Sequence, residues 1–170
     1  MRFVFVFGVG LVVACALLFQ SFLAHAMPVG CYSLSEAEAE QGIRIHSELM
    51  IIGLNCQHMT PQGQQNLYAQ YRDITQKNAG LFSGYEDVLI DYFRKTGLPD
   101  PERALHDLRT NLANRISSDA AQMRPDVFCR QYSPRLEQAS AMAQGDIQRW
   151  AATFYPSHPV SRPMCESVTR

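Results

Sequence analysis

The fold is decided by residues 43–56, IRIHSELMIIGLNC, the longest dense apolar run outside the first 26 residues. This run is too short to span a bilayer, which takes about 20 apolar residues, so a helix inside a globular domain is favoured. At about 100° per residue, Arg44, Glu48 and Asn55 fall on one narrow stripe, and apolar side chains occupy most of the remaining circumference. The run therefore predicts a central helix, over about residues 35–56, that neighbouring helices cover on several sides.

One face of this helix carries two glycines and a histidine. Gly42 and Gly53 lie three turns apart, and each costs about 1 kcal/mol relative to alanine inside a helix. The pair therefore predicts that another helix approaches closely on this face. His46 points to the same side and is interpreted as a buried, hydrogen-bonded core histidine. A ligand or proton-transfer role for His46 is the alternative, because histidine titrates near neutral pH.

Residues 1–26 have the organisation of a secretory signal peptide. Arg2 gives a short charged start, residues 3–23 are apolar, and Ala24-His25-Ala26 matches a cleavage site with small residues. Cleavage is expected between Ala26 and Met27. The mature chain, residues 27–170, is then a single periplasmic or secreted domain that is long enough to bury a core.

Two alternatives remain open for the leader. Residues 12–15, Val-Val-Ala-Cys, resemble the site at which a bacterial lipoprotein is cut and lipidated, although the residues after Cys15 are apolar where lipoprotein linkers are usually polar. An uncleaved membrane anchor is the second alternative. If the leader is removed, no stable membrane association is expected.

The cysteines of the mature chain predict two disulfides. An even number in an exported chain indicates paired cysteines, and four cysteines allow three connectivities. Sequence context favours the pairs Cys56–Cys129, both in apolar helical segments, and Cys31–Cys165, both in irregular arms at the two ends. Chain ends often lie close together, which supports the second pair.

Charge and motifs exclude several functions. The leader removes one of the 15 basic residues and none of the 16 acidic ones, so the mature chain is slightly acidic and has no electrostatic footprint for nucleic acid. No nucleotide-binding, serine-hydrolase or helical zinc motif is present. The mature histidines His46, His58, His106 and His158 show no pairing at helical spacing. We therefore expect no cofactor and no metal site.

Apolar periodicity and capping residues predict an all-α bundle of five or six helices, and no stretch alternates as a strand does. Leu49, Leu54, Leu89, Leu108 and Leu112 are expected to be nearly fully buried. The elements that follow the central helix are a helix over about residues 61–78, a break over residues 79–84, a helix from Tyr85 to a stop at Gly97, a helix from Pro101 to about Ala121, a helix from Pro125 that Pro134 kinks or divides, and a short helix capped by Asp146.

The last part of the chain is expected to be irregular. Residues 156–170 contain three prolines and no periodicity, and Cys165 would tie them down. Trp150, Phe154 and Tyr155 cluster just before this tail. They are interpreted as core packing, with an exposed aromatic recognition patch as the alternative.

Short motifs along the chain resemble those of a known group. S-E-L-M-x-x-x-L-x-C over residues 47–56 is followed by D-Y-F-R with a glycine stop over residues 91–97, L-A-N over residues 112–114, and F-C at residues 128–129. This order resembles a group of uncharacterised small secreted or periplasmic bacterial helical proteins. The resemblance implies the helical architecture and the compartment, and it implies no activity.

Three functions fit these observations. The favoured hypothesis is a non-catalytic periplasmic binding or interaction protein, whose partner would be a periplasmic protein or a small apolar ligand. The alternatives are a small-molecule carrier with an apolar pocket between helices, and an enzyme with a non-local site near His46. A solvent-reachable concave site that holds His46 and a carboxylate would favour the enzyme, and a closed core around His46 would favour the binding protein.

Overall fold

The computed structural model describes residues 30–60 and 62–165, so the predicted signal peptide, the predicted cleavage site, Cys15 and the last five residues of the tail lie outside the described residues. The described chain is all-α and has six α-helices, as predicted. A short 3₁₀ turn, Gln57–Met59, follows the first helix. The helices are α1 Leu34–Cys56, α2 Leu67–Lys77, α3 Ala79–Lys95, α4 Pro101–Ala121, α5 Pro125–Ala141 and α6 Gln144–Ala151.

Helix α1 is the centre of the bundle, and all five other helices pack against it. It begins at a reciprocal cap in which the Ser33 backbone N–H donates to Glu36 and the Glu36 backbone N–H donates to the Ser33 hydroxyl. Most of its length is buried, as the dense apolar run predicted. No helix among the residues that the structure describes is both long and apolar enough to cross a membrane.

The glycines of α1 mark close approaches of two different helices. A Cβ atom on Gly42 would lie 2.3 Å from the ring of Tyr85 in α3. A Cβ atom on Gly53 would lie 3.2 Å from Cβ of Tyr71 in α2. The predicted close approach is therefore confirmed, but two neighbours share the face.

The boundary between α2 and α3 differs from the prediction. The expected break over residues 79–84 is wrong, because α3 already begins at Ala79 and only Asn78 separates the two helices. The buried Asn78 side chain donates to the carbonyl of Ile74, and the Asn78 carbonyl accepts from the N–H groups of the first turn of α3. One residue thus ends α2 and starts α3. Helix α2 in turn begins later than expected, at Leu67, where Asn66 caps it.

Other helix ends match the sequence signals. Gly97 has a φ of +79° just after α3, and Asp100 accepts from the backbone N–H of Arg103 at the start of α4. Pro134 lies inside α5 and does not divide it. The last helix begins two residues earlier than the predicted cap at Asp146, because Ala143 is its N-cap; Asp146 lies in the first turn of α6 and accepts from the backbone N–H of Ala143.

The predicted core is largely confirmed. Leu49, Leu89 and Leu112 are buried, and Leu108 is partly buried against them. The prediction for Leu54 is wrong, since its side chain is 43% exposed. The last turn of α1 is covered on the side of Ile52 and Cys56, and Leu54 lies about 200° away from each of them.

Both disulfides have the predicted pairing. Cys56–Cys129 joins the end of α1 to α5 with 5.5 Å between the Cα atoms. Cys31–Cys165 joins the two arms with 4.8 Å between the Cα atoms. Beside it, the Tyr32 N–H donates to the Pro163 carbonyl, and the Cys165 N–H donates to the Tyr32 carbonyl, both at 2.8 Å. The irregular tail is thereby fixed against the start of the domain.

Candidate functional site

Arg44 is a charged residue in the core of the bundle. Its side chain belongs to a residue that is only 6% exposed, and its Nη2 atom donates to the Pro159 carbonyl at 3.1 Å. The buried Nε atom has no hydrogen-bond partner, and no carboxylate of the described chain forms a salt bridge with this guanidinium. Burial lowers the pKa of Arg44, and the nearby Glu40 opposes that shift. Because a guanidinium does not lose its proton in proteins, Arg44 remains a buried positive charge that forms no salt bridge with the described residues.

Arg44 lines two adjoining cavities, of about 170 Å³ and 120 Å³, which we call the arginine crevice. Both cavities are also lined by Glu48 of α1, Arg135 of α5 and His158 of the tail. The larger one adds Trp150 of α6, Tyr155 of the tail, and Gln41 and Ile45 of α1. The smaller one adds Arg115 and Asp119 of α4, and Tyr132 and Phe128 of α5.

The crevice carries an excess of positive charge. The Glu48 carboxylate already has a counter-charge, because Arg135 donates to it. The Glu48 side chain is 14% exposed and that of Arg135 is 41% exposed, so the carboxylate is the more deeply buried partner. Arg44 and Arg115 then face the single remaining acid of the lining, Asp119. This arrangement is electrostatically suited to a negatively charged guest.

Polar residues of α1 fix the tail over the crevice. Glu40, which is buried, accepts from the backbone N–H of Ser161 at 2.7 Å and from the Ser161 hydroxyl. The Gln41 amide donates to the His158 carbonyl at 2.7 Å. Together with the bond from Arg44 to the Pro159 carbonyl, these contacts hold tail residues 158–161 by their backbone. The wall of the crevice is therefore set by α1 rather than by the tail sequence.

His46 lies on a different side of α1, where it is partly buried and packed against α2 and α3. Its Nε2 atom is 3.0 Å from the Tyr71 hydroxyl and 3.2 Å from the Thr75 hydroxyl, and its ring stacks on Phe82 with 4.5 Å between centroids. Burial, assisted by the positive charge of Arg109, lowers the pKa of His46 to about 4. Arg109 itself is bonded to Glu86 at 2.6 Å. His46 is thus a neutral, hydrogen-bonded residue, and it does not line the arginine crevice.

A second concave feature lies where the tail crosses α1, and we call it the tail pocket. It encloses about 520 Å³ and is lined mainly by apolar side chains. Phe154 and Tyr155 are 41% and 52% exposed, so this part of the expected aromatic cluster is at the surface, whereas Trp150 is half-buried. The tail pocket lies between the tail and α1 rather than between helices. Its lining includes Phe154, Tyr155, Pro156, Val160 and Met164.

The described residues contain neither a metal-binding cluster nor a free thiol. No group of three or more His, Cys, Asp and Glu side chains in residues 30–60 and 62–165 is placed to hold a metal ion. The four cysteines within this part are all in disulfides and offer no thiol. The arginine crevice is therefore the feature with the clearest chemical character.

The sequence contained one sign of this site. Arg44 is a charged residue inside the densest apolar run, and Glu40 lies one turn before it. The sequence pattern placed Arg44 on a polar stripe and assigned it no role. The partners of Arg44 and Glu40 come from α4, α5, α6 and the tail, all more than 70 residues away along the chain.

Comparisons of the chain with protein-family models, with curated proteins and with solved structures gave no match. The resemblance to small exported helical proteins stays a prediction.

Proposed function

We propose that this protein is an exported, non-catalytic binding protein, and that the arginine crevice is its site for a small organic anion. The observation that carries the proposal is the buried Arg44 guanidinium, which lines both cavities, forms no salt bridge in the described chain and has a buried Nε atom without a hydrogen-bond partner there. A buried charge destabilises a fold unless it is paired and hydrogen-bonded. A bound anion would supply the missing partner.

A carboxylate is the anion that fits best. The guanidinium presents N–H donors in a planar fork that matches a carboxylate, and such charge-assisted bonds are among the stronger ones in proteins. Glu48 does not meet this need, because Arg135 engages its carboxylate. The guest would also displace water from a half-enclosed site, where the attraction between charges is stronger than in bulk water.

The size of the crevice suggests a small planar body. A cavity of about 150 Å³ accommodates a benzene ring, and the larger cavity of the crevice is of that size, at about 170 Å³. Trp150 and Tyr155 provide aromatic surface beside the arginine. Benzoate is therefore a suitable first probe.

Two further observations support export without catalysis. Two disulfides are typical of oxidising compartments outside the cytosol. His46, the residue proposed for catalysis, is enclosed by Tyr71, Thr75 and Phe82 and lies away from the crevice. Intact-mass measurement of the protein recovered from the periplasm should give a chain that begins at Met27. A lipid-modified Cys15 in that spectrum would contradict the proposal and place the protein on a membrane.

The binding site is tested by calorimetric titration of the purified protein with three probes of similar shape. Benzoate should bind saturably, and benzyl alcohol and benzylamine should bind at least tenfold more weakly. Affinity for benzoate should fall as salt concentration rises, because the attraction is electrostatic. Equal affinity for benzoate and benzyl alcohol, or no binding of benzoate, would overturn the anion site.

A pair of arginine variants assigns the effect to the crevice. Arg44→Met should weaken benzoate binding at least tenfold while the fold is retained, as judged by circular dichroism. Arg94→Met is the control, because Arg94 is an exposed residue of α3 that pairs with Asp91 outside the crevice. An equal loss of affinity in both variants would show that the anion is attracted by general surface charge.

A further inference from the structure

We infer that the natural ligand is an amphiphile whose carboxylate pairs with Arg44 in the arginine crevice and whose apolar body occupies the tail pocket. This inference rests on the proposed function and names the class of molecule that the site takes. It commits to a small molecule of that chemistry rather than to a peptide or a second copy of the chain.

The two features are neighbours on one face of the domain. Gln41, Tyr155 and His158 line both the larger cavity of the crevice and the tail pocket. A ligand anchored at Arg44 would therefore pass directly along Tyr155 and His158 into the pocket. Both of these residues belong to the exposed part of the tail, and so they form the rim between the two spaces rather than a buried partition.

The arginine crevice and the tail pocket differ in charge and size, as the head and the body of an amphiphile do. The crevice is small and positively charged, whereas the tail pocket is about three times larger, at about 520 Å³, within the range of small-molecule sites. Arg162 is the only charged residue that lines the described tail pocket. Clustered, exposed apolar side chains of this kind mark interaction surfaces. Phe154, Tyr155 and Met164 are 41%, 52% and 40% exposed.

The wall of the tail pocket is fixed by contacts within the protein. Tail residues 158–165 are held by Glu40, Gln41 and Arg44 of α1 and by the disulfide between Cys31 and Cys165. A fixed wall reduces the entropy that binding would otherwise cost. Each part of the ligand's apolar surface that the pocket covers should then add to the affinity, as the burial of apolar side chains adds to the stability of a fold.

The first measurement is the affinity for n-alkyl carboxylates from butanoate to decanoate, each below its micelle concentration. Burial of one methylene group corresponds to about a two- to fourfold gain in affinity. We expect the affinity to rise by this factor with each methylene until the pocket is filled. The n-alkyl alcohols of equal length should bind at least tenfold more weakly.

Variants separate the head site from the body site. Arg44→Met should lower the affinity for every carboxylate by a similar factor, and Arg162→Met should change it less than threefold. Phe154→Ser should reduce the gain per methylene and leave butanoate unchanged. Leu34→Ser is the matched control, because Leu34 is 71% exposed and lies outside both spaces.

The orientation of the ligand is read from the single tryptophan, Trp150, which lines the crevice. A bromine atom quenches tryptophan fluorescence on contact. Quenching should be stronger with 2-bromo-octanoate, which carries bromine next to the carboxylate, than with 8-bromo-octanoate. The reverse order would overturn the proposed orientation.

The remaining outcomes separate this inference from the function on which it rests. Binding of butanoate that depends on Arg44 but gains nothing with chain length would overturn the amphiphile and leave the anion site in place. Binding that does not depend on Arg44, or that depends on Arg162 instead, would overturn both. A uniform gain with chain length that Phe154→Ser and Leu34→Ser leave equally intact would remove the tail pocket from the site.

Discussion

Arg44 and His46 lie two residues apart on α1 and meet opposite surroundings. A separation of two residues places their side chains about 200° apart around the helix. His46 faces α2 and α3, where two hydroxyl groups lie within 3.2 Å of its Nε2 atom and an aromatic ring covers its face. Arg44 faces the tail and the crevice, where its Nε atom has no partner within the described chain.

The difference between these two surroundings shows that a buried ionisable group is interpreted by whether it can become neutral. Burial lowers the pKa of His46 to about 4, so the ring avoids the energetic cost of charge by staying neutral. Arginine does not have that option, because its guanidinium keeps its proton. Burial of His46 is therefore compatible with ordinary packing, whereas the buried Arg44 guanidinium, which forms no salt bridge with the described residues, is the feature on which the proposed anion site rests.

The largest expected effect on the free energy of unfolding concerns the side of α1 that carries His46 and Leu49, which we call the closed side. Leu49 is 1% exposed and lies three residues from His46, on the same face of the helix. Leu49→Ala should lower the free energy of unfolding by about 2–5 kcal/mol, since it removes buried methyl groups and leaves a cavity. Denaturant titration of the intact, oxidised protein measures this change.

Leu54→Ala is the control for that measurement. Leu54 belongs to the same helix but is 43% exposed, so its truncation should cost less than about 1 kcal/mol. If the two variants were equally destabilised, the contrast between a closed and an open side of α1 would fail.

The second prediction uses the lowered pKa of His46. The unfolded chain takes up a proton on this residue near pH 6.5, and the folded chain does so only near pH 4. The contribution of His46 to the free energy of unfolding should therefore be fully present above about pH 6.5. It should be lost as the pH decreases toward 4, which lowers the free energy of unfolding by at most about 3 kcal/mol. His46→Gln should remove this part of the pH dependence.

The measurement is the difference in unfolding free energy between pH 7 and pH 4.5, for the wild type and each variant. His106→Gln is the control, because His106 is exposed on α4. If His46→Gln left the difference in unfolding free energy between the two pH values unchanged, His46 would be more accessible to protons than its packing indicates. The contrast with Arg44 would then fail.

Much of the fold could be predicted from local sequence. The helix over the apolar run 43–56, the helix start at Pro101 and the stop at Gly97 depend on neighbours along the chain, and all were confirmed. The pairing of the cysteines followed from which segments are apolar and which are terminal. The break expected around Gly80 and Gly84 was wrong, because both glycines lie in open space inside a helix that Asn78 starts.

The candidate site could not be predicted in the same way. Arg44 contributes a charge, but the meaning of that charge depends on whether a carboxylate reaches it. In the fold, Glu48 is engaged by Arg135 of α5, and Glu40 is engaged by Ser161 of the tail. The spacing along α1 predicts neither contact. Both acids lie one turn from Arg44 and would be expected to pair with it.

The smallest expected effect is the change in stability of the unliganded protein caused by Arg44→Met. It tests the contrast between Arg44 and His46 directly. The substitution removes the hydrogen bond to the Pro159 carbonyl, and bonds to charged groups contribute about 1.5–3 kcal/mol. It also removes the desolvation cost of an unpaired charge, which is several kcal/mol. The two changes offset each other, so the free energy of unfolding should stay within about 1 kcal/mol of the wild type or rise.

Arg135→Met is the matched contrast to Arg44→Met. That change leaves the Glu48 carboxylate, which is 14% exposed, without its partner, and it should destabilise the protein by about 1–3 kcal/mol. A loss above about 2 kcal/mol in Arg44→Met would instead show that Arg44 serves mainly to hold the tail. A residue that can be replaced without loss of stability, yet with loss of anion binding, is one that the fold keeps for its ligand.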